Sequence, residues 1–374
     1  MKKIFLILGV GNAQVDLIKR CKEYGYEVFG ISYKEEGRGL EYIDHFKQIN
    51  IIDKKEVLKY AQSISADVVY SVGSDIAMPT VGYVSERLGT PFFVDEKTAE
   101  LLHYKGRLRQ FLIEKHINPI AFKVASSLEE FSDWNIFPAI IKPVDSQGQR
   151  GVFEVHKPAD LQKHFTKSQS FSRSRNVIVE QYIDGPEFSV NTFVQNGLIV
   201  YSFMTDRYVI KEKLPCGIIK GHGIPAKVDD WVREKTASLL QEVINALGIR
   251  NGPVYFQLKY TDTDVFIIEI TPRLDGCHLW RFIKLMYGID LLDLTIRQLE
   301  RNSSPPQLDT NPTKPVQKQN LYLDFFHQKT GTQFQKVKSE KESCLYEEWY
   351  YKEGETVRYI NGYLEKTGYQ IWAE

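Results

Sequence analysis

The 374-residue sequence has little cysteine, no excess charge of either sign and no long apolar run. Its four cysteines are scattered without a CxxC pair, which argues against a zinc site or a disulfide framework. The 48 basic side chains balance the 48 acidic ones, so charge gives no case for nucleic acid or an anionic membrane as partner. No apolar stretch approaches the roughly 20 residues of a membrane-spanning helix. These absences favour a soluble, cytoplasmic protein.

The first hundred residues alternate strand and helix patterns. The apolar run Ile4–Leu8 is too short for the core of a signal peptide and leads into a Gly-Val-Gly-Asn turn, so it predicts a first buried strand. Further strands are predicted at Glu27–Ser32, Phe46–Ile51 and Asp67–Val72, with helical spacing between them. Such a βαβ series predicts a doubly wound parallel sheet.

The turn Gly9-x-Gly11 after the first strand has two interpretations. It matches the start of a dinucleotide-binding fingerprint, which would make the protein an oxidoreductase. However, Gln14 occupies the third glycine position, and the second strand ends at Ser32 without the acidic residue that would hold a ribose. A plain strand-to-helix turn is therefore favoured.

Two lysine-bearing segments follow. A helical pattern over Glu96–Lys115 contains Lys105, Arg107 and Arg109, and a charged helix is usually only a solvated face. After the apolar run ending at Lys142, residues Ser146–Gly151 form a small, polar loop with two glycines. Such a loop can place backbone N–H groups against phosphate oxygens, or it can be an ordinary hairpin turn.

A hairpin late in the chain has the clearest chemistry. Apolar runs on either side of Asp262–Asp264 predict two antiparallel strands, with Gln257 directly opposite Glu269. Alternation then points Gln257, Glu269, Thr271 and Arg273 to one face. A carboxylate, two neutral oxygens and a guanidinium suit a hard cation that bridges phosphates, although an ordinary hairpin with a wet face explains the pattern too.

The remaining segments frame this hairpin. A helix is predicted at Val228–Leu247 with Gly248 as its C-cap, and a second one at Leu291–Arg301. Residues Asn302–Gln319 read as a linker, and the tail contains strand-like runs at Leu321–Phe326, Thr356–Asn361 and Tyr369–Trp372. We predict three domains: an N-terminal α/β domain (1–97), a central domain with the glycine loop (98–184) and a C-terminal domain with the hairpin and a β-rich tail (185–374).

At this point the motifs resemble a known family. In order, "PAIIKPVDSQGQRGV", "VIVEQYIDGPEFSV" and "VFIIEITPR" are similar to the three nucleotide-site motifs of the ATP-grasp ligases, in the branch of biotin carboxylase, carbamoyl phosphate synthetase and the purine-pathway carboxylate–amine ligases. The resemblance extends from Gly9 to about Arg281. It implies an α/β fold, α+β in the C-terminal part, in which a doubly wound parallel sheet precedes a two-subdomain ATP-grasp fold.

Carried over by position, the resemblance implies an ATP site. Lys105 and Lys142 would contact phosphate oxygens, the loop with Ser146, Gln147, Gly148 and Gly151 would close over the β- and γ-phosphates, and Glu187 would hold the ribose. The hinge that reads adenine would comprise Glu180, Gln181 and Ile183.

The resemblance also implies a metal site for Mg²⁺ or Mn²⁺. Its ligands would be Glu269, Gln257 and Thr271, and Arg273, Lys142 and Glu269 would be the catalytic residues. The family usually has a carboxylate where Gln257 stands and an asparagine where Thr271 stands, so only one of the three is anionic. Asp275 is close enough in sequence to compensate.

The implied activity is ATP-dependent amide formation from a small-molecule carboxylate and an amine, through an acyl phosphate. The acid would be an amino acid or a sugar acid, and Arg207, His222, His278 and Arg281 are candidate substrate contacts, although such residues are more often structural. The family favours a homodimer. Gln257 and Thr271 also leave open a nucleotide-binding protein without ligase activity.

Overall fold

The N-terminal part of the protein is built on a parallel sheet. The structure is a computed structural model and describes residues 2–210, 217–300, 314–338, 341–360 and 364–374. The strands of this sheet are β1 (Ile4–Leu8), β2 (Glu27–Ser32), β3 (His45–Gln48) and β4 (Val68–Tyr70), in the order β3-β2-β1-β4. All three strand pairs are parallel. The helices are α1 (Val15–Glu23), α2 (Lys54–Ser63) and α3 (Met78–Leu88). The predicted parallel sheet is therefore confirmed.

The helical pattern over Glu96–Lys115 is divided into two helices. These are α4 (Glu96–His103) and α5 (Lys105–Glu114), separated by Tyr104, whose backbone is extended. Asp95 caps α4 by accepting the Thr98 N–H, and the Lys105 N–H donates to the carbonyl of Val144. This break places Lys105 at the first turn of α5, against the start of the glycine loop.

The second sheet has four antiparallel strands and its own core. These strands are β5 (Phe122–Ala125), β6 (Ala139–Pro143), β7 (Phe153–Val155) and β8 (Val177–Gln181), in the order β5-β8-β6-β7. Helix α6 (Pro158–Ser170) covers the sheet, and Phe131, Trp134 and Phe165 fill the space beneath it. The glycine loop connects the neighbouring strands β6 and β7.

The third sheet has eight antiparallel strands. They are β9 (Glu187–Gln195), β10 (Leu198–Val209), β11 (Ile219–Ile224), β12 (Gly252–Tyr260), β13 (Val265–Thr271), β14 (Leu321–Lys329), β15 (Cys344–Trp349) and β16 (Leu364–Ala373). Their order in the sheet is β13-β12-β9-β10-β11-β14-β16-β15. Helices α7 (Asp230–Leu247), α8 (Leu279–Tyr287) and α9 (Leu291–Gln298) complete this part. Gly248 caps α7 in the left-handed conformation, as predicted.

The tail differs from its prediction. The described residues 356–360 form no strand beyond a single bridge between Gln333 and Thr356, and Asn361 lies outside the described residues. The strand is instead β15, which alternation failed to reveal because Glu347 and Glu348 interrupt its apolar pattern. Most of the predicted linker (302–313) also lies outside the described residues.

The N-terminal sheet touches the C-terminal part at a close backbone crossing. A Cβ atom added to Gly73 would lie 3.0 Å from the Cα of Gly276, and Gly73 has a φ of +67°. Its N–H donates to the carbonyl of Leu274. A side chain at Gly73 would push apart the loop after β4 and the loop after β13, both of which reach the candidate site.

Candidate active site

One cavity lies between the second and third sheets. The predicted residues that line it are Lys105, Lys142, Ser146, Gln147, Gly148, Glu180, Gln181, Ile183, Glu187, Arg207, Gln257 and Glu269. The predicted residues outside this lining are Gly151, Thr271, Arg273, His222, His278 and Arg281. The cavity therefore brings together motifs that are up to 164 residues apart, from Lys105 to Glu269.

Gln257 lies directly opposite Glu269, as predicted, but the rest of the register differs from the prediction. Tyr260 pairs with Val265, so four residues separate the strands instead of three, and a β-bulge at Ile268 on β13 restores the pairing of Gln257 with Glu269. The Gln257 side chain donates an N–H to the carboxylate of Glu187, so its carbonyl oxygen is the atom left for another partner. The hydroxyl of Thr271 is buried and has no hydrogen-bond partner among the described residues. Gln257 and Glu269 line the cavity, whereas Thr271 lies outside its lining, two residues after Glu269 on β13. These three residues are the oxygen donor set of the hairpin.

Glu180 is at the centre of a buried ion network. Its carboxylate lies 2.5 Å from the Lys142 ammonium and accepts an N–H of Arg109 at 2.8 Å. Burial raises the pKa of Glu180, but Arg109 and Lys142 outweigh burial and bring it down to about 2. Burial in turn lowers the pKa of Lys142, which Glu180 opposes. The network holds the Lys142 ammonium at the cavity wall.

Arg109 is the residue of this network that sequence reasoning missed. Its side chain is 2% exposed, so the expectation of a solvated helix face is wrong for this residue. Its guanidinium also donates to the carbonyls of Ile267 and Ile268 on β13, at 2.6 and 2.9 Å. The available signal was its position one turn after Lys105 and beside Leu108 on α5.

The first two residues of the glycine loop are held by hydrogen bonds. The Lys105 ammonium donates to the carbonyl of Ser146 at 2.7 Å. The Gln147 side chain accepts the N–H of Asp75, which belongs to the loop after β4. Gly151 has a φ of +70°, and a Cβ there would lie 2.9 Å from the Phe171 ring, so glycine is required by both conformation and space. The start of the loop is thereby fixed to α5 and to the loop after β4.

Arg273 extends toward the N-terminal part. Its guanidinium donates to the Asp75 carboxylate and to the carbonyl of Leu274, while its Nε has no partner among the described residues. Asp275, two residues on, is 3% exposed. Its carboxylate accepts the N–H groups of Cys277 and Leu279 at the start of α8. Asp275 therefore uses both carboxylate oxygens at the start of α8, and its possible help to the metal ligands stays a prediction.

Arg207 and His222 occupy neighbouring strands opposite each other. Arg207 pairs with the Glu187 carboxylate at 2.6 Å, in the same place where Gln257 donates to Glu187. His222 is 1% exposed; its Nδ1 lies 3.1 Å from the Asp206 carbonyl oxygen, and its Nε2 has no partner among the described residues. Burial lowers the pKa of His222 well below its usual value, and Arg207 and Lys366 lower it further.

His278 and Arg281 lie at a different place from the other candidates. The Arg281 guanidinium donates to Asp16 at 2.6 Å, and His278 Nδ1 lies 3.5 Å from the same carboxylate. Trp280 donates its indole N–H to Asp16 as well. Burial raises the pKa of Asp16, but His278 and Arg281 outweigh it and lower that pKa overall. This cluster joins α8 to α1, and neither His278 nor Arg281 lines the cavity.

The turn at Gly9 and Gly11 is filled by a side chain. The Gln14 side chain accepts the Gly11 N–H and donates to the carbonyl of Val72. A Cβ at Gly11 would lie 3.2 Å from the Gln14 side-chain oxygen. The Gly11 N–H, which a phosphate at this turn would need as a donor, is therefore already bonded to Gln14, and this favours the plain turn over the dinucleotide site.

Comparison with known proteins identifies the class. Residues 135–279, which contain the glycine loop and the whole metal hairpin, match the family model of the ATP-grasp domain. The crystal structure of an L-amino acid ligase from Bacillus licheniformis superimposes with a TM-score of 0.82 at 18% identity, over 100% of this chain and 94% of that one. The chain therefore carries an ATP-grasp domain within the fold of the ATP-grasp ligases, as the motifs predicted.

The similarity to two curated relatives covers more of the chain than the match to the ATP-grasp domain does. A formate-dependent phosphoribosylglycinamide formyltransferase from Prochlorococcus marinus is 22% identical over 288 residues, which is 73% of this chain and 70% of the relative. An uncharacterised protein from Sinorhizobium fredii is 23% identical over 222 residues, 57% of this chain; the match spans 45% of that relative. Among the described residues, no helix has the length and apolarity needed to cross a membrane.

Proposed function

We propose that the protein is an ATP-dependent carboxylate–amine ligase that forms an amide and releases ADP and phosphate. The observation that carries the proposal is the cavity itself. Lys105, Lys142 and the glycine loop line one side, and Glu269 and Gln257 line the other. Cationic and backbone donors on one side suit phosphate oxygens, and oxygen ligands on the other suit a divalent cation between phosphate groups.

In this proposal ATP lies along the cavity. Adenine occupies the end formed by Glu180, Gln181 and Ile183, where β8 ends. The ribose lies near Glu187, whose carboxylate already pairs with Arg207 and Gln257. Lys142, fixed by Glu180, meets the phosphates, and the loop Ser146–Gly151 covers them. Each of these roles belongs to a position in the ATP-grasp family, and the residue at the matching position of this chain lies in or beside the cavity.

The donor set fits Mg²⁺ or Mn²⁺ only with the help of the nucleotide. Among the described residues, no group of three or more His, Cys, Asp or Glu side chains is arranged to hold a metal ion. Glu269, the carbonyl oxygen of Gln257 and the unpartnered hydroxyl of Thr271 would supply protein oxygens. Magnesium typically takes one or two carboxylates with substrate phosphates and waters, so this sparse set suffices. The bound cation would neutralise charge on the phosphates.

The chemistry then depends on positioning. A carboxylate of the acid attacks the γ-phosphorus, ADP leaves, and an amine attacks the acyl carbon and displaces phosphate. Arg273 would hold the attacking carboxylate and the transferred phosphoryl group, since its guanidinium is buried and its Nε lacks a partner. The glycine loop would exclude water from the acyl phosphate. The L-amino acid ligase among the structural neighbours supports an amino acid as the acid.

The test is ADP release from Mg·ATP with a panel of amino acids and sugar acids, with and without hydroxylamine as a surrogate amine. We expect ADP formation that depends on one acid, and a trapped hydroxamate of that acid. ADP formation that ignores every acid, or an ATP-induced melting shift without any turnover, would contradict the ligase.

A second candidate is a nucleotide-binding protein without ligase activity. The specific observation behind it is that Glu269 is the sole carboxylate among the three predicted metal ligands, while Gln257 is already engaged with Glu187. Mg·ATP would then raise the melting temperature without acid-dependent ADP formation. The predicted homodimer is tested separately, by the mass of the native protein in solution.

A further inference from the structure

Lys366 is a half-buried cation without an anionic partner. It lies on β16, and its ammonium is 3.3 Å from the Cys277 sulfur and 3.9 Å from the ring centroid of Phe325. Within the described ranges it forms no ion pair with a carboxylate. A partly desolvated ammonium that faces a thiol and an aromatic ring lacks the counter-charge that such groups usually have.

The neighbours of Lys366 connect it to the cavity. Cys277 lies four residues after Arg273, in the loop between β13 and α8. Burial raises the pKa of Cys277, which the charges of Lys366 and Arg207 oppose. Both cations also act on His222, so Arg207, His222, Cys277 and Lys366 share one neighbourhood. Arg207, in turn, lines the cavity.

The carboxylates of this neighbourhood are engaged by other groups. Asp275, which also acts on Cys277, accepts the N–H groups of Cys277 and Leu279. Arg207 is neutralised by Glu187, which lies 2.6 Å away. Burial keeps His222 neutral and favours the thiol form of Cys277, so neither supplies a negative charge. Lys366 is therefore the cation of this neighbourhood that has no carboxylate within 4.0 Å among the described residues, and it contacts Cys277, four residues after Arg273. An anionic ligand group would compensate it.

We propose that Lys366 binds a second anionic group of the acid substrate, so that the preferred acid carries one carboxylate for activation at Arg273 and another anionic group at Lys366. The inference rests on the proposed ligase function for the placement of the first carboxylate. The class of acid is a dicarboxylate, including an acidic amino acid, or an acid with a phosphoryl group. The two sources share the same chemistry, and the test separates them.

The test measures binding by melting temperature in the presence of Mg²⁺ and ADP, so it does not require turnover. The ligands are isosteric pairs that differ in one charge, glutamate against glutamine and succinate against succinamate, with 3-phosphonopropionate as the phosphoryl arm. We expect the charged member of at least one pair, or the phosphonate, to bind roughly ten-fold tighter, the effect of a hydrogen bond to a charged group. Lys366→Met should abolish that preference.

The control is Lys227→Met, which removes an exposed lysine that also lies over an aromatic ring, that of Tyr322, at 5.6 Å. It should keep the preference. If Lys366→Met fails to fold, Lys366→Gln provides the same comparison. Equal binding of charged and uncharged ligands in the native protein, or a preference that survives both Lys366 variants, would overturn the inference. ADP release is measured in parallel: its absence alongside a Lys366-dependent preference would refute the ligase and leave the anion site standing.

Discussion

Two residue groups in and around the cavity differ in how completely their buried polar atoms are paired. For the proposed ligase we call them the nucleotide half (Arg109, Glu180 and Lys142) and the acceptor half (Thr271, Arg273 and His222). In the nucleotide half, Arg109, Glu180 and Lys142 satisfy one another. In the acceptor half, Thr271 Oγ1, Arg273 Nε and His222 Nε2 have no partner among the described residues. A buried polar group without a hydrogen-bond partner lowers the free energy of unfolding, so the atoms of the acceptor half carry a cost that those of the nucleotide half do not. Under the proposed function, the atoms without a partner in the acceptor half are the ones available to ligand groups, whereas the atoms of the nucleotide half are already paired within the protein.

The largest effect should come from Glu269, at the boundary between the two halves. Glu269→Ala removes the anionic member of the donor set, and we expect about a 10³-fold loss of ADP formation, comparable with the loss of a main charge-stabilising group in phosphoryl transfer. The measurement is the rate of acid-dependent ADP release. Asp262→Ala, in the exposed turn of the same hairpin, is the control and should leave that rate unchanged. Near-normal activity in Glu269→Ala would refute the site.

Removing Arg109 tests how much the ion network of the nucleotide half stabilises the fold. Arg109→Met leaves the buried Glu180 carboxylate with Lys142 alone and removes two bonds to β13. We expect the free energy of unfolding to fall by about 3 kcal/mol, the cost of removing one member of a buried ion network. Urea unfolding measures it.

The matched control for Arg109 is on the same helix. Arg107 is 58% exposed and pairs with Glu100, so Arg107→Met should change the free energy of unfolding by less than about 0.5 kcal/mol. Equal effects of the two variants would mean that the network around Glu180 does not stabilise the fold.

Gln257→Glu sharpens the comparison by restoring the carboxylate that the family usually has. In this chain Gln257 donates to Glu187, and a glutamate would replace that bond by two facing carboxylates. We expect the ligand-free protein to lose about 1 kcal/mol or more of stability. Mg·ATP should then raise its melting temperature more than that of the native protein, because the cation relieves the repulsion. A smaller shift than in the native protein would contradict this reasoning.

The smallest expected effect concerns the acceptor half and pH. The pKa of His222 is held below its unfolded value of about 6.5, so the unfolded chain binds the proton first as pH falls. The stabilisation is therefore complete above pH 6.5 and is lost progressively below it. Between pH 7.5 and 5.5 we expect His222 to account for about 1 kcal/mol of lost stability.

His222→Gln should remove that part of the pH dependence. Urea unfolding at the two pH values measures the difference, and the exposed His156→Gln serves as the control. An unchanged pH dependence in His222→Gln would mean that the imidazole is not kept neutral by its surroundings. His103 and His327, whose pKa values burial lowers to about 4, account for further loss in the same direction.

Local patterns predicted the parts of this protein whose interactions are local. Alternation and turn residues predicted the hairpin and the pairing of Gln257 with Glu269, because a hairpin pairs residues that are close in sequence. They did not predict the four-residue turn or the bulge at Ile268 that together produce this pairing. The βαβ series predicted the parallel sheet for a similar reason. Glycine spacing marked the loop at Ser146–Gly151 because left-handed backbone conformations favour that residue.

Only the tertiary structure decided which charged residues are buried and with whom. Arg109 meets Glu180 across 71 positions, and Arg281 meets Asp16 across 265. No period of a helix or strand carries that information, since the partner of a buried charge is set by how separate sheets come together. The same reason separates the predicted substrate contacts: Arg207 reaches the cavity, whereas His278 and Arg281 join α8 to α1. The sequence by itself determined the three motifs and their order, and the packing of the tail brought Lys366 against Cys277.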